Sequence, residues 1–163
     1  MLTLPVTYSE KLETVERVDL HRFIGKWYTV ANLLNRNPSM VLNNVIEYKL
    51  TNKGSLHVSK SYKIKSRIFS TITLHATATV KENSNNSKFK IQYLWPFAEA
   101  AWVIDLADDY TYAVICNPSK TSLTILSRNR NMDSSTYSAI IERIKNKGFN
   151  TDRLKKASDY IIA

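Results

Sequence analysis

The chain has 163 residues, of which 44% are hydrophobic, and it carries a formal net charge of +9 at pH 7. This length predicts a single domain over residues 1–163, no apolar run approaches a membrane span, and one cysteine, Cys116, excludes both an intrachain disulfide and a multi-cysteine metal site. The charge favours anionic partners, but no recognition-helix pattern, zinc ligand set or RNP-like motif indicates that nucleic acid is one of them.

Apolar and polar residues alternate through most of the chain, and polar turn segments separate the alternating runs. We predict eight strands over residues 26–34, 44–50, 55–64, 70–81, 88–94, 101–106, 110–117 and 121–128. Most of these strands begin about a dozen residues apart, which is typical of an all-β meander. The pattern therefore predicts an eight-stranded antiparallel up-and-down β-barrel, whose interior is wide enough for one small ligand.

One α-helix is predicted after the strands. Asp133 or Ser134 is suited to cap its N-terminus, and Gly148 fits the position just beyond its end. Its apolar residues recur at helical spacing on a single face: Tyr137, Ile140, Ile141 and Ile144. We expect this face to pack against the outside of the barrel.

Alternate connections of an up-and-down barrel lie at the same end of it. Pro38, Pro96 and Pro118 then fall in loops at one end, together with the loop of residues 63–69, which carries three positive charges and no negative one. This arrangement predicts a basic mouth that an anionic amphiphile would meet first. The alternative is a solvated loop that happens to be basic.

Three short motifs occur in an order that is known from one protein family. Gly25-Lys26-Trp27 resembles the Gly-x-Trp signature of the lipocalins, Asp109-Tyr110 resembles their second signature, and Ser127-Arg128 their third. From about residue 15 to 155 the chain resembles bacterial lipocalins and apolipoprotein D. The resemblance implies a barrel closed at one end, with Trp27 as the plug of that end and Arg128 packed across it in a structural role.

Strand alternation and the pattern of this family indicate which side chains face the cavity. The predicted ligand-binding residues are Leu33, Ile46, Tyr48, Lys60, Tyr62, Leu74, Ala76, Ile91, Tyr93, Ala101, Val103 and Ile115. Such a set is an apolar lining with a few polar groups, as expected of a small-ligand site. Ala101 follows Glu99 and Ala100 in a segment that is often aromatic in the subgroup, so we expect it to widen the cavity.

Lys60 is the unusual member of this set, because an inward-facing lysine in an apolar lining is costly unless it is paired. One interpretation is a counter-ion for a fatty carboxylate or a phosphate, assisted by tyrosine hydroxyls. The alternatives are that the side chain extends to the open mouth, or that a register slip of one residue turns it outward.

The resemblance implies a non-catalytic carrier of a long-chain fatty acid or a lysophospholipid, without a cofactor or a metal. The chain has three glycines and three scattered histidines, and it shows neither a phosphate-binding loop nor a Gly-x-Ser-x-Gly elbow. One alternative is an enzyme acting on a lipophilic substrate, for which the only thiol is Cys116, expected to face outward. The other is a module that binds membrane surfaces through its basic charge.

Location and assembly are less constrained by the sequence. The resemblance implies the periplasm or outer membrane of a bacterium, but the chain shows neither a signal peptide nor a lipobox cysteine, so a cytoplasmic location is the alternative. Peripheral membrane association follows from the basic charge. A homodimer is a further option, for which the predicted outward position of Trp102 is the supporting feature.

Overall fold

The computed structural model describes residues 11–33, 41–64 and 70–157, which contain nine strands, two α-helices and a 3₁₀ turn at Thr151–Arg153. The helices are α1 (Leu20–Phe23) and α2 (Ser134–Asn146). The strands are β1 (Gly25–Leu33), β2 (Val41–Leu50), β3 (Leu56–Ile64), β4 (Ser70–Val80), β5 (Lys88–Gln92), β6 (Ala98–Leu106), β7 (Tyr112–Cys116), β8 (Leu123–Ser127) and β9 (Lys155–Lys156). Pro38 and residues 65–69 of the predicted basic loop lie outside the described residues.

The strands β1 to β8 form a closed antiparallel barrel, as predicted. Each strand pairs with the next in sequence, and β1 closes the barrel by pairing with both β2 and β8. Beyond Tyr28, β1 separates from β2, and its residues Ala31 and Asn32 pair with the short strand β9 instead. The alternation pattern did not indicate β9, because two adjacent lysines carry no apolar periodicity.

The C-terminal helix lies on the outside of the barrel, which confirms the prediction. The side chain of Asp133 accepts a hydrogen bond from the backbone N–H of Thr136 at 2.9 Å and caps the helix. Ile140 and Ile144 are fully buried against outward-facing residues of β1, β6, β7 and β8. None of the described helices has the length and apolar character needed to cross a membrane.

One end of the barrel interior is filled by aromatic side chains. The short helix α1 brings Phe23 into the barrel, where its ring centroid lies 5.4 Å from that of Trp27, 5.1 Å from Tyr48 and 6.1 Å from Phe89. Trp27 and Phe23 are both fully buried. Among the described residues this end is therefore closed, and space for a ligand remains toward the opposite end, called the mouth below.

Candidate functional site

A cavity of about 220 Å³ lies between the aromatic core and the mouth. Its lining comes from β1, β2, β3 and β5 to β8, and consists of Thr29, Asn32, Ile46, Tyr48, Lys60, Tyr62, Ile91, Tyr93, Glu99, Ala100, Ala101, Ile115, Cys116, Ser122, Thr124 and Leu126. Side chains that can form hydrogen bonds outnumber the apolar ones. The lining is thus more polar than the sequence indicated, and the apolar members lie among several donors and acceptors.

The structure brings together most of the predicted ligand-binding residues. Eight of them line the cavity: Ile46, Tyr48, Lys60, Tyr62, Ile91, Tyr93, Ala101 and Ile115. Ala76 and Val103 share the inner face but are buried in the core of the closed half. Leu74 pairs with Lys60 on the inner face and is 45% exposed, so it lies above the cavity at the mouth.

Leu33 does not face the cavity, and its prediction was wrong. The pairing of β1 with β8 shifts by one residue between Thr29 and Ala31, because a β-bulge interrupts the alternation there. Beyond the bulge, Leu33 turns outward into the buried cluster beneath α2, and Asn32 faces the cavity in its place. A strict period of two, counted from Trp27, fails at this bulge.

The alternation pattern did not indicate Glu99, which faces the cavity from the start of β6. Its carboxylate oxygen Oε1 lies 2.6 Å from Nζ of Lys60 and accepts a hydrogen bond of 2.6 Å from the hydroxyl of Tyr93. The predicted strand began at Ala101, whereas β6 begins at Ala98. Counting back two residues from the inward-facing Ala101 would have identified Glu99 as an inward residue.

The Glu99 carboxylate remains charged and has phenol groups around it. Burial alone raises the pKa of the Glu99 carboxyl, but the positive charge of Lys60 and hydrogen bonds from Lys60 and Tyr93 outweigh burial and hold that pKa below its usual value. Burial, and then the charge of Glu99, raise the pKa of Tyr62 to about 12 and that of Tyr93 further. The phenols therefore keep their protons and act as hydrogen-bond donors at neutral pH.

Thr29 adds a polar group deeper in the cavity. The residue is only 6% exposed, and its hydroxyl oxygen has no hydrogen-bond partner within the described residues. Burying an unpaired hydroxyl costs on the order of 1–3 kcal/mol. This hydroxyl is therefore available to a polar atom of a molecule that enters the cavity.

Cys116 belongs to the buried cluster that α2 covers, and it also borders the cavity. Burial raises the pKa of its thiol to about 12, so the reactive thiolate is scarce at neutral pH. Trp102 is half-buried beside that cluster, and Nζ of Lys88 lies 4.2 Å from the centroid of its ring. Trp102 also lines a separate surface pocket, together with Phe89 and Pro118.

Trp27 and Arg128 meet at the closed end, away from the cavity. The guanidinium carbon of Arg128 lies 3.7 Å from the centroid of the Trp27 ring. The same guanidinium donates hydrogen bonds to the backbone carbonyls of Arg22, Phe23, Ile24, Lys26 and Tyr110. Gly25 has φ of +100°, and a Cβ there would lie 3.3 Å from Nη1 of Arg128, so a glycine suits both the backbone and the close approach.

Two solved structures have the same fold as this chain. Insecticyanin from the tobacco hornworm Manduca sexta superposes with a TM-score of 0.70 at 17% identity, covering 89% of this chain and 82% of that one. Lobster apocrustacyanin A1 gives 0.66 at 16% identity, with 83% and 77% coverage. At these identities, the likeness concerns the fold alone.

Sequence relatives come from different kinds of organism. Temperature-induced lipocalin-1 of Arabidopsis thaliana is 27% identical over 161 residues, which cover 93% of this chain and 84% of that protein. The outer membrane lipoprotein Blc of Vibrio cholerae is 26% identical over 147 residues, with 89% and 85% coverage. The family model described as a lipocalin-like domain matches residues 18–159. The chain, with its closed barrel and external helix, therefore belongs to the lipocalin family.

Proposed function

We propose that this lipocalin binds and carries a single-chain amphiphile, a long-chain fatty acid or a lysophospholipid, without catalysing a reaction. Binding of a small hydrophobic ligand is the general function that the fold and the relatives support. The observation that carries the proposal is a cavity with a closed aromatic floor and one charged pair, Lys60 and Glu99, on its lining. The acyl chain of an amphiphile would contact the apolar floor, and its head group would contact the charged pair.

The size of the cavity determines how such a ligand would lie. A volume of 220 Å³ is below the roughly 300–1,000 Å³ of pockets that enclose a drug-sized ligand, so only part of a long chain would fit inside. Ile72 and Leu74 on the inner face of β4 are 44% and 45% exposed, and they offer apolar surface for the remainder. The head group would then contact Lys60, Glu99 and Tyr93.

Filling the cavity tests this proposal. Ala101 is buried and lines the cavity, so Ala101→Phe is expected to weaken lipid binding by about tenfold or more, equivalent to about 1.4 kcal/mol. Isothermal titration of the delipidated protein with palmitate and with lysophosphatidylcholine measures the effect. Ala98→Phe introduces the same ring at an exposed position of the same strand and should leave affinity unchanged.

Two results would count against the carrier. Equal affinity of Ala101→Phe and the parent protein would mean that the lipid binds elsewhere. Binding of neither lipid to the parent protein would reject the lipid carrier and favour a surface module. An enzyme is the weaker alternative, because the thiol of Cys116 borders the cavity but is protonated and only 3% exposed.

We also propose that the mouth associates with membrane surfaces. In the turn between β5 and β6, Leu94, Trp95 and Phe97 are 83%, 82% and 68% exposed, an unusual concentration of large apolar side chains. The net charge of +9 adds attraction to anionic lipid. The bacterial relatives are named outer membrane lipoproteins, whereas the names of the plant and mimivirus relatives state no location, so the proposal concerns a surface and not a compartment.

Vesicle sedimentation tests this association. Trp95→Ser is expected to reduce the fraction bound to phosphatidylcholine–phosphatidylglycerol vesicles severalfold, because the indole no longer inserts between lipids. Leu50→Ser, at a residue that is 41% exposed at the closed end of the barrel, serves as the control. If Trp95→Ser instead abolishes a dimer detected by analytical ultracentrifugation and vesicles are not bound, the turn is a homodimer contact.

A further inference from the structure

The charges that line the cavity cancel each other. Among the described lining residues, only Lys60 and Glu99 are charged, and their closest charged atoms are 2.6 Å apart. The Lys60 side chain is 15% exposed, whereas that of Glu99 is 46% exposed at the mouth. An incoming head group therefore meets the carboxylate of Glu99 before the ammonium of Lys60.

A free carboxylate is poorly matched to this pair. To contact Lys60, it must displace Glu99 or lie beside it, and two carboxylates in one partly buried site repel each other. A head group that carries a phosphate and an ammonium brings the phosphate to Lys60 and the ammonium to Glu99. Every charge is then paired, because the Glu99 carboxylate exchanges the ammonium of Lys60 for the ammonium of the head group.

The aromatic groups around the pair suit the same kind of head group. Nζ of Lys60 lies 5.4 Å from the centroid of the Tyr93 ring, so that ring already faces a cation. Tyr48 and Tyr62 also line the cavity, and phenol rings attract quaternary ammonium groups. Their hydroxyls, which keep their protons, are donors for phosphate oxygens.

Within the proposed carrier function, we propose that Glu99 determines head-group specificity: it disfavours free fatty acids and selects zwitterionic lysophospholipids. Glu99 is then a specificity residue that acts through direct contact with the ligand and through its ion pair with Lys60. The acyl chain contributes the affinity that both ligand types share. The ratio of the two affinities is the quantity that Glu99 controls.

Titration with three ligands that share one palmitoyl chain tests the inference: palmitate, 1-palmitoyl-lysophosphatidylcholine and 1-palmitoylglycerol. The parent protein should bind the lysophospholipid about tenfold or more tightly than palmitate. In Glu99→Gln, palmitate should gain about tenfold because Lys60 is released, and the lysophospholipid should weaken. The uncharged palmitoylglycerol should change by less than about threefold, because it depends on the chain site.

Two further variants make the test specific. Lys60→Met should weaken the lysophospholipid without improving palmitate, because it removes the partner of the phosphate. Glu47→Gln removes the same charge from an exposed pair, in which Glu47 Oε1 lies 2.8 Å from Lys49 Nζ, and should change no affinity.

Circular dichroism and thermal unfolding of each variant confirm that the barrel is intact. An unchanged ratio of palmitate to lysophospholipid affinity in Glu99→Gln overturns the inference, as does a parent protein that prefers palmitate. In both cases, binding of palmitoylglycerol still supports the carrier. Absence of binding of all three lipids overturns the carrier and the specificity together.

Discussion

Replacement of Trp27 by alanine is expected to lower the free energy of unfolding by about 3–5 kcal/mol, the usual cost of removing a large aromatic side chain from a core. Trp27 is fully buried, its indole N–H donates a hydrogen bond of 2.9 Å to the carbonyl of Phe23, and Arg128 covers its ring. The substitution leaves a void beneath Phe23 and removes one of the two hydrogen bonds that the Phe23 carbonyl accepts, the other coming from Arg128. For a chain of this length, the thermal midpoint should fall by about 6–20 °C.

Urea unfolding monitored by far-ultraviolet circular dichroism measures this loss. Trp95→Ala removes the same side chain from a position that is 82% exposed, and is expected to change stability by no more than about 0.5 kcal/mol. The two variants therefore distinguish the stability lost by removing a buried tryptophan from that lost by removing an exposed one. Equal stability losses would contradict a closed end that depends on Trp27.

The barrel was predictable from the sequence because its strands follow simple alternation. Phe89 and Ile91 face inward, Lys90 faces out, and the helix apolar face at Ile140 and Ile144 is buried against the barrel. In each case a single rule, period two or period 3.6, was sufficient. Hydrophobic burial then favours the fold, since a closed barrel buries its inner face and α2 covers the apolar outer residues of β1 and β6 to β8.

The errors occurred where a local irregularity overrides the period. The bulge in β1 turned Leu33 outward, and a bulge-like register shift also occurs in β6 between Val103 and Asp105. Backbone pairing decides such shifts, and the order of side chains does not record them. Glu99 was missed for another reason, since a charged residue beside two alanines does not extend an apolar pattern.

The site and the fold depend on opposite ends of the barrel. The closed half holds Phe23 and Trp27 in contact, and the cavity with Lys60 and Glu99 lies toward the mouth. Lys60, Leu74 and Glu99 near the mouth are not members of the buried core. Ligand specificity is therefore free to change by substitutions at the mouth while the closed end maintains stability.

Replacement of Arg128 by alanine is expected to lower the free energy of unfolding by about 3 kcal/mol, because hydrogen bonds to a charged donor contribute about 1.5–3 kcal/mol and several are lost together. The guanidinium connects α1 and the start of β1 to the carbonyl of Tyr110 in the turn before β7. Arg130→Ala is the matched control, since Arg130 is exposed. Its guanidinium carbon lies 4.7 Å from the centroid of the Tyr28 ring.

Arg128→Lys distinguishes charge from geometry at the closed end. A lysine keeps the positive charge over Trp27, but one ammonium cannot reach carbonyls that the planar guanidinium contacts on two edges, so less than half of the stability should return. Because the cavity lies toward the mouth, the lipid affinity of Arg128→Lys should match that of the parent protein at a temperature where both are folded. A stability loss with unchanged affinity identifies Arg128 as structural, whereas a loss of affinity in the folded variant would mean that the closed end shapes the binding site.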